Sequence, residues 1–121
     1  MKIRIKDNTI RFRLTKPEVA ELCEKGYCAS HTDFDDVTFE YGVKMDSQIS
    51  ALSAEFKENA ILVSIPDAQV KDWDRNDHIG FENVQSLKDG KTLHLLVEKD
   101  FTCLDTRMED ESDNYPNPKM T

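Results

Sequence analysis

Long apolar runs are missing from this chain of 121 residues. No stretch approaches the roughly 18 apolar residues that a membrane helix needs. The opening "MKIRIKDNTIRFR" alternates charged and apolar residues, so it lacks the apolar block of a secretory signal. A cytoplasmic protein with no membrane partner is therefore expected. Glycine is scarce as well: Gly26, Gly42, Gly80 and Gly90 stand alone, which excludes a glycine-rich phosphate cradle. Only three cysteines occur, Cys23, Cys28 and Cys103. An odd, small count fits reduced thiols better than a disulfide framework.

Catalytic motifs are absent too. No G-x-S-x-G or H-E-x-x-H accompanies His31, His78 or His94, and a general base needs a partner within hydrogen-bond reach. These histidines read as ordinary surface or half-buried residues. Cys23, Cys28 and His31 have the spacing C-x4-C-x2-H, with Cys103 as a fourth zinc-type ligand. Cys23, however, falls on the apolar side of a predicted helix, where a thiol acts as a small hydrophobe. The acidic run "EDESD" lacks the spacing and glycine of an EF-hand. No catalytic residue, metal or cofactor is expected.

What the chain does have is charge, distributed unevenly. The net charge is -8, which argues against nucleic-acid binding because a phosphate backbone would be repelled. Residues 1–16 nevertheless carry Lys2, Arg4, Lys6, Arg11, Arg13 and Lys16 against a single acid, Asp7. Residues 105–121 are the counterpart, with Asp105, Glu109, Asp110, Glu111 and Asp113 against Arg107 and Lys119. That stretch lacks apolar periodicity and reads as an acidic tail.

The chain also has a pattern that recurs. "IKDNTIRFRLTKPEVAEL" and "FKENAILVSIPDAQVKDW" align at an offset of 51, with Lys6 on Lys57, Asn8 on Asn59, Ile10 on Ile61 and Val19 on Val70. Ile3 and Ile5, then Ile10, Phe12 and Leu14, alternate with charged residues, as half-buried strands do. Asp7-Asn8 supplies a tight turn between them. Thr15 and Glu18 form a capping box with Pro17 in the first helical turn, and Gly26 ends the helix. Two more strands follow in each half, near 27–32 and 37–44, then 78–84 and 92–98, with Asp89-Gly90 as a hairpin signal.

The fold class that follows is α+β: a strand-strand-helix-strand-strand unit made twice, about 1–46 and 51–104. One such unit is too small to bury its apolar face. Two together predict one domain over 1–104, either a curved antiparallel sheet or an eight-stranded barrel-like body with two short helices. Two four-stranded layers face to face are the alternative. Residues 105–121 are the tail.

The stretches "IRFRLTKPEV", "EKDFTCLD" and "DNYPNP" resemble a small family of bacterial proteins of unknown function, over nearly the whole chain. The resemblance implies a bacterial cytoplasmic origin and assigns no activity, cofactor or site residue. Duplicated units also occur in the triphosphate-tunnel enzymes, whose N-terminal strand reads E-x-E-x-K. Here that strand is "KIRIK", and later strands lack the inward cations such a tunnel requires.

The candidate site is the basic hairpin. Arg4, Lys6, Arg11 and Arg13 point to one face and could grip a carboxylate or phosphate through guanidinium bonds. The plainer reading is a solvated strand face whose long stems cover apolar surface. A third reading has the tail folding back over these cations, through Glu109, Asp110, Glu111 and Tyr115. The functional expectation is a small non-catalytic binding or interaction module with a protein partner or its own acidic tail as occupant. The alternative is an enzyme or sensor for a small anion, such as a nucleotide or phosphate ester, bound between the two halves.

Overall fold

Two-residue turns organise the chain in the computed structural model, which describes residues 1–101. Strands β1 (Lys2–Lys6) and β2 (Thr9–Leu14) meet at Asp7-Asn8, where Asp7 takes a positive φ of 49°. Strands β5 (Ser53–Lys57) and β6 (Ala60–Pro66) meet at Glu58-Asn59, both at positive φ, as the twist of a tight hairpin demands. The hairpins of β3 (Tyr27–Asp33) with β4 (Thr38–Asp46) and of β7 (Gly80–Ser86) with β8 (Thr92–Lys99) have longer connections. The second of these passes through a 3-10 turn at Lys88–Gly90, so Asp89-Gly90 lies inside a five-residue link rather than forming a two-residue turn.

Helix α1 (Lys16–Lys25) begins as its sequence predicts. The Thr15 N–H donates to Glu18 Oε1 at 2.8 Å, and the Thr15 hydroxyl donates to the same oxygen at 3.0 Å. Gly26 closes the helix with φ 78°, donating its N–H to the Leu22 carbonyl. The second helix is shorter than expected. Helix α2 covers Asp67–Val70, and Trp73 falls in a separate 3-10 turn, Trp73–Arg75. Trp73 is still fully buried, and its indole N–H donates to the His78 carbonyl at 2.7 Å. That bond satisfies the one polar atom of the largest core side chain.

The eight strands form two four-stranded sheets, in the orders β1-β2-β8-β7 and β3-β4-β6-β5. Each is mixed: the hairpins are antiparallel, but the central pairs β2–β8 and β4–β6 are parallel. The antiparallel sheet or barrel-like body expected from the hairpins is thus corrected to two open mixed sheets. Hairpins are set locally by their turns; which hairpins join, and in which direction, depends on partners 85 residues apart for β2–β8 (Thr9↔His94) and 20 apart for β4–β6 (Glu40↔Ala60). Closure fails because β5 and β7, edge strands of different sheets, meet through side chains instead of a ladder. The Ala54 N–H donates to Gln85 Oε1 at 2.8 Å, and Asn83 Nδ2 donates to the Leu52 carbonyl at 2.8 Å.

The inner faces share one core. Phe12, Leu14, Leu95 and Val97 come from the first sheet, Val43, Ile61, Val63 and Ile65 from the second, and Val19, Leu22, Val70 and Trp73 from the helical segments. Each such side chain contributes about 1.5–3 kcal/mol by leaving water. No helix among the described residues is long and apolar enough to cross a membrane.

Candidate functional site

Strand alternation places the basic residues. Because Ile10, Phe12 and Leu14 face the core, Arg11 and Arg13 face outward, and on β1 so do Lys2, Arg4 and Lys6. The register sets Arg4 directly opposite Arg11 and Lys2 opposite Arg13. Like charges facing each other across a ladder are unfavourable, by a few tenths of a kcal/mol to about 1 kcal/mol. Lys2, Ile3, Arg4, Arg11 and Arg13 line a shallow depression of about 370 Å³.

One carboxylate sits among them. Glu98 on β8 has Oε1 3.2 Å from Arg11 Nε and 3.8 Å from Arg13 Nε. That oxygen is shielded from water, and no donor meets it in hydrogen-bond geometry. The contact is therefore ionic rather than a directed bond, and Glu98 offsets part of the crowding between the two guanidinium groups. At the rim, Lys2 Nζ lies 3.1 Å from Asp100 Oδ2. Glu98 and Asp100 were not legible as site residues. They belong to β8 and its end, and only the parallel β2–β8 join brings them here.

The four predicted cations are thus brought to one sheet face. The other predicted contacts, Glu109, Asp110, Glu111 and Tyr115, lie outside the described residues, as does Cys103. The space between the sheets holds apolar core, and no charged residue is buried among the described residues. Arg4, Arg11 and Arg13 are on the opposite side of their sheet, so they do not converge on a seam between the halves. A second depression, of about 330 Å³, lies where β8 ends against the start of α1. Lys16, Lys99, Asp74 and Asp100 give it both signs of charge.

Other singled-out residues have structural roles. Cys28 is buried, and burial pushes its thiol up to about 12, with the Glu18 and Glu21 charges adding to the rise. The Cys23 thiol donates to the Val70 carbonyl at 3.2 Å, tying α1 to α2. Burial raises the Glu18 carboxyl, but the N-terminal ammonium and the Thr15 donors outweigh it, leaving the pKa below the ordinary 4.5. Among the described residues no group of three His, Cys, Asp or Glu side chains is placed to hold a metal.

These features define an α+β domain of two mixed sheets, with a cationic patch on the outer face of one. The chain belongs to a family of unknown function, DUF7009, whose model matches residues 1–119. No curated protein and no solved structure matches it.

Proposed function

We propose that this domain is a non-catalytic interaction module that binds carboxylate-rich protein segments on the outer face of β1 and β2. The observation that carries the reading is the placement of Lys2, Arg4, Arg11 and Arg13 around one open depression, with like charges directly opposed. Nothing in the core requires that arrangement, and an acidic ligand would relieve it. Arginine forks suit paired carboxylate oxygens, and the width of a sheet face suits an extended chain. We also infer a bacterial cytoplasmic setting, in keeping with the high share of charged residues.

Titrating a fluorescent glutamate-rich peptide against the chain tests the reading. Charges at 109, 110, 111 and 113 are first neutralised to asparagine or glutamine, so that no internal acid competes. Binding should weaken steeply with salt and be lost in the Arg11→Ala, Arg13→Ala double variant. Binding that is absent, or indifferent to both arginines, refutes it.

We also infer that the two halves descend from one duplicated unit. Adding 51 to the β1–β2 pairs Lys2↔Arg13 and Lys6↔Thr9 yields the β5–β6 pairs Ser53↔Ser64 and Lys57↔Ala60. Turn bonds correspond as well: the Asn8 carbonyl accepts from the His94 N–H, and the Asn59 carbonyl from the Glu40 N–H. Exchanging β1–β4 for β5–β8 turns the strand order of one sheet into that of the other. A core double variant at corresponding positions, Phe12→Ala with Val63→Ala, would show equal coupling to the rest of the core if the halves are energetically equivalent. Strongly unequal coupling would count against the inference.

A further inference from the structure

The outer face of the first sheet is more than a row of cations. Beyond Arg11 and Arg13 on β2 it continues into Leu96 on β8 and Val84 on β7, both turned away from the core by alternation. Val84 is 52% exposed, and Leu96 is half-buried directly beside Arg11. The second sheet has other residues at the same positions. Its register sets Leu62 and Ser64 in place of Arg11 and Arg13, Gly42 in place of Leu96, and His31 in place of Val84. Charge on the patch is also incomplete. Among the described residues Glu98 is the carboxylate that serves both Arg11 and Arg13, so one positive charge is left over. An occupant that completes the patch carries carboxylates and, about 5–10 Å away across one or two strand spacings, an apolar side chain.

One segment of this chain has that chemistry. In the β3–β4 tip, Asp33-Phe34-Asp35-Asp36-Val37, every residue is exposed, Phe34 by 63% and Val37 by 44%. The tip is held in one shape: the Phe34 N–H donates to the Val37 carbonyl at 2.8 Å, and the Thr38 hydroxyl to Asp33 Oδ1 at 3.0 Å. A preformed tip loses little freedom on docking. The corresponding bond in the second half, from the Leu87 N–H to the Lys91 carbonyl, encloses Lys88, Asp89 and Gly90, which supply a single acid and no aromatic. The cationic and apolar patch lies on one sheet and the acidic and apolar tip on the other, each without a counterpart, and the shared fold requires neither.

Resting on the reading of a carboxylate-binding face, we propose that this face takes the β3–β4 tip of a second copy of the chain. Asp35 and Asp36 meet Arg11 and Arg13, while Phe34 and Val37 cover Leu96 and Val84. The tip continues the second sheet, and the outer face of the first sheet is turned away from it. A four-residue link therefore reaches that face only on another molecule. Donor and acceptor surfaces differ, so the contact is head-to-tail. Each molecule offers one tip and one face, and copies add in a row unless a ring closes. The net charge of -8 sets copies against one another in general, so the cationic face is where one attracts the next.

Sedimentation velocity on the full chain tests this, with two charge-reversed variants: Arg11→Glu with Arg13→Glu, and Asp35→Lys with Asp36→Lys. The mass of the parent should rise with concentration up to about 1 mM, a range that populates weak contacts. Each variant alone should stay monomeric, because like charges then meet. An equimolar mixture should associate again, since the unchanged tip of the first variant fits the unchanged face of the second. Phe34→Ser should weaken association at least about tenfold and leave binding of the glutamate-rich peptide unchanged. A parent that stays monomeric overturns the proposal. So does association that survives either reversal, or a mixture no more associated than its parts. The two readings separate cleanly. If the tail-neutralised chain binds the glutamate-rich peptide at Arg11 and Arg13 while the parent stays monomeric, only the second copy fails as occupant. If it binds no acidic peptide, the face itself is misread.

Discussion

Gly80→Ala is the substitution whose outcome the packing determines most directly. Gly80 opens β7 opposite Glu98, and a Cβ built there would lie 2.5 Å from the Val97 carbonyl oxygen and 2.9 Å from Glu98 Cα. Both are backbone atoms of the paired strand, so no side-chain rotation relieves the contact. Restoring ordinary separation requires the strand to shift by roughly 1 Å. Overpacking of this kind costs about 1–3 kcal/mol. Alanine also has an advantage in an extended backbone, where replacing glycine returns about 0.4–1 kcal/mol of unfolded-state entropy. The clash wins, and net destabilisation of about 0.5–2 kcal/mol is expected. Each kcal/mol corresponds to about 4–8 °C of Tm in a domain near this size. Urea denaturation with linear extrapolation, alongside a thermal melt, measures both. Gly90→Ala separates the two causes: Gly90 has φ 76° and open space around it, so only left-handed strain of about 1–2 kcal/mol applies. A Gly80→Ala protein as stable as the parent would refute the close β7–β8 pairing at Glu98.

Leu22→Ala, at a fully buried position facing the core from α1, should cost about 2–5 kcal/mol in the same urea assay. Glu98→Gln removes the carboxylate between Arg11 and Arg13; peptide titration of the tail-neutralised chain should show several-fold tighter binding, with stability changed by less than about 1 kcal/mol. The Cys28 thiol, raised from 9.0 to about 12, stabilises the fold fully below about pH 9, and that contribution is lost as pH rises toward 12. Unfolding free energies at pH 8 and pH 11 should therefore fall more for the parent than for Cys28→Ala. The Glu18 carboxyl runs the other way. Its stabilisation is present above the ordinary pKa and is lost on acidification, so Glu18→Gln should flatten the acid limb of the pH–stability curve.

Local rules made much of this molecule legible. Alternation identified the outward cations, because Arg11 and Arg13 cannot share a face with Phe12. Thr15, Pro17, Glu18 and Gly26 marked the ends of α1 through their own chemistry. The correspondence of Leu22 with Trp73 rightly put the tryptophan in the core, but the helix expected around it breaks after Val70 and resumes as a 3-10 turn. Less was legible where the cause is non-local. Arg13 pairs in register with Glu98 through a parallel ladder that no turn encodes, so the carboxylate within the cationic patch was invisible. Openness of the sheets was equally hidden. It turns on Gln85 and Asn83 reaching the edge of the other sheet, and neither residue stands out by pattern.

The interleaving of hairpins has a consequence for how this protein is born. Thr9 must find His94, and Leu14 must find Lys99, before the first sheet has a centre. During synthesis the β1–β2 hairpin therefore waits for its sheet partner until β8 has emerged, with only α1 and the second sheet to cover Phe12 and Leu14 meanwhile. Loop closure over such a span slows assembly. Emerging chains of this protein should accordingly depend on chaperone holding more than a fold with its partners side by side in sequence would.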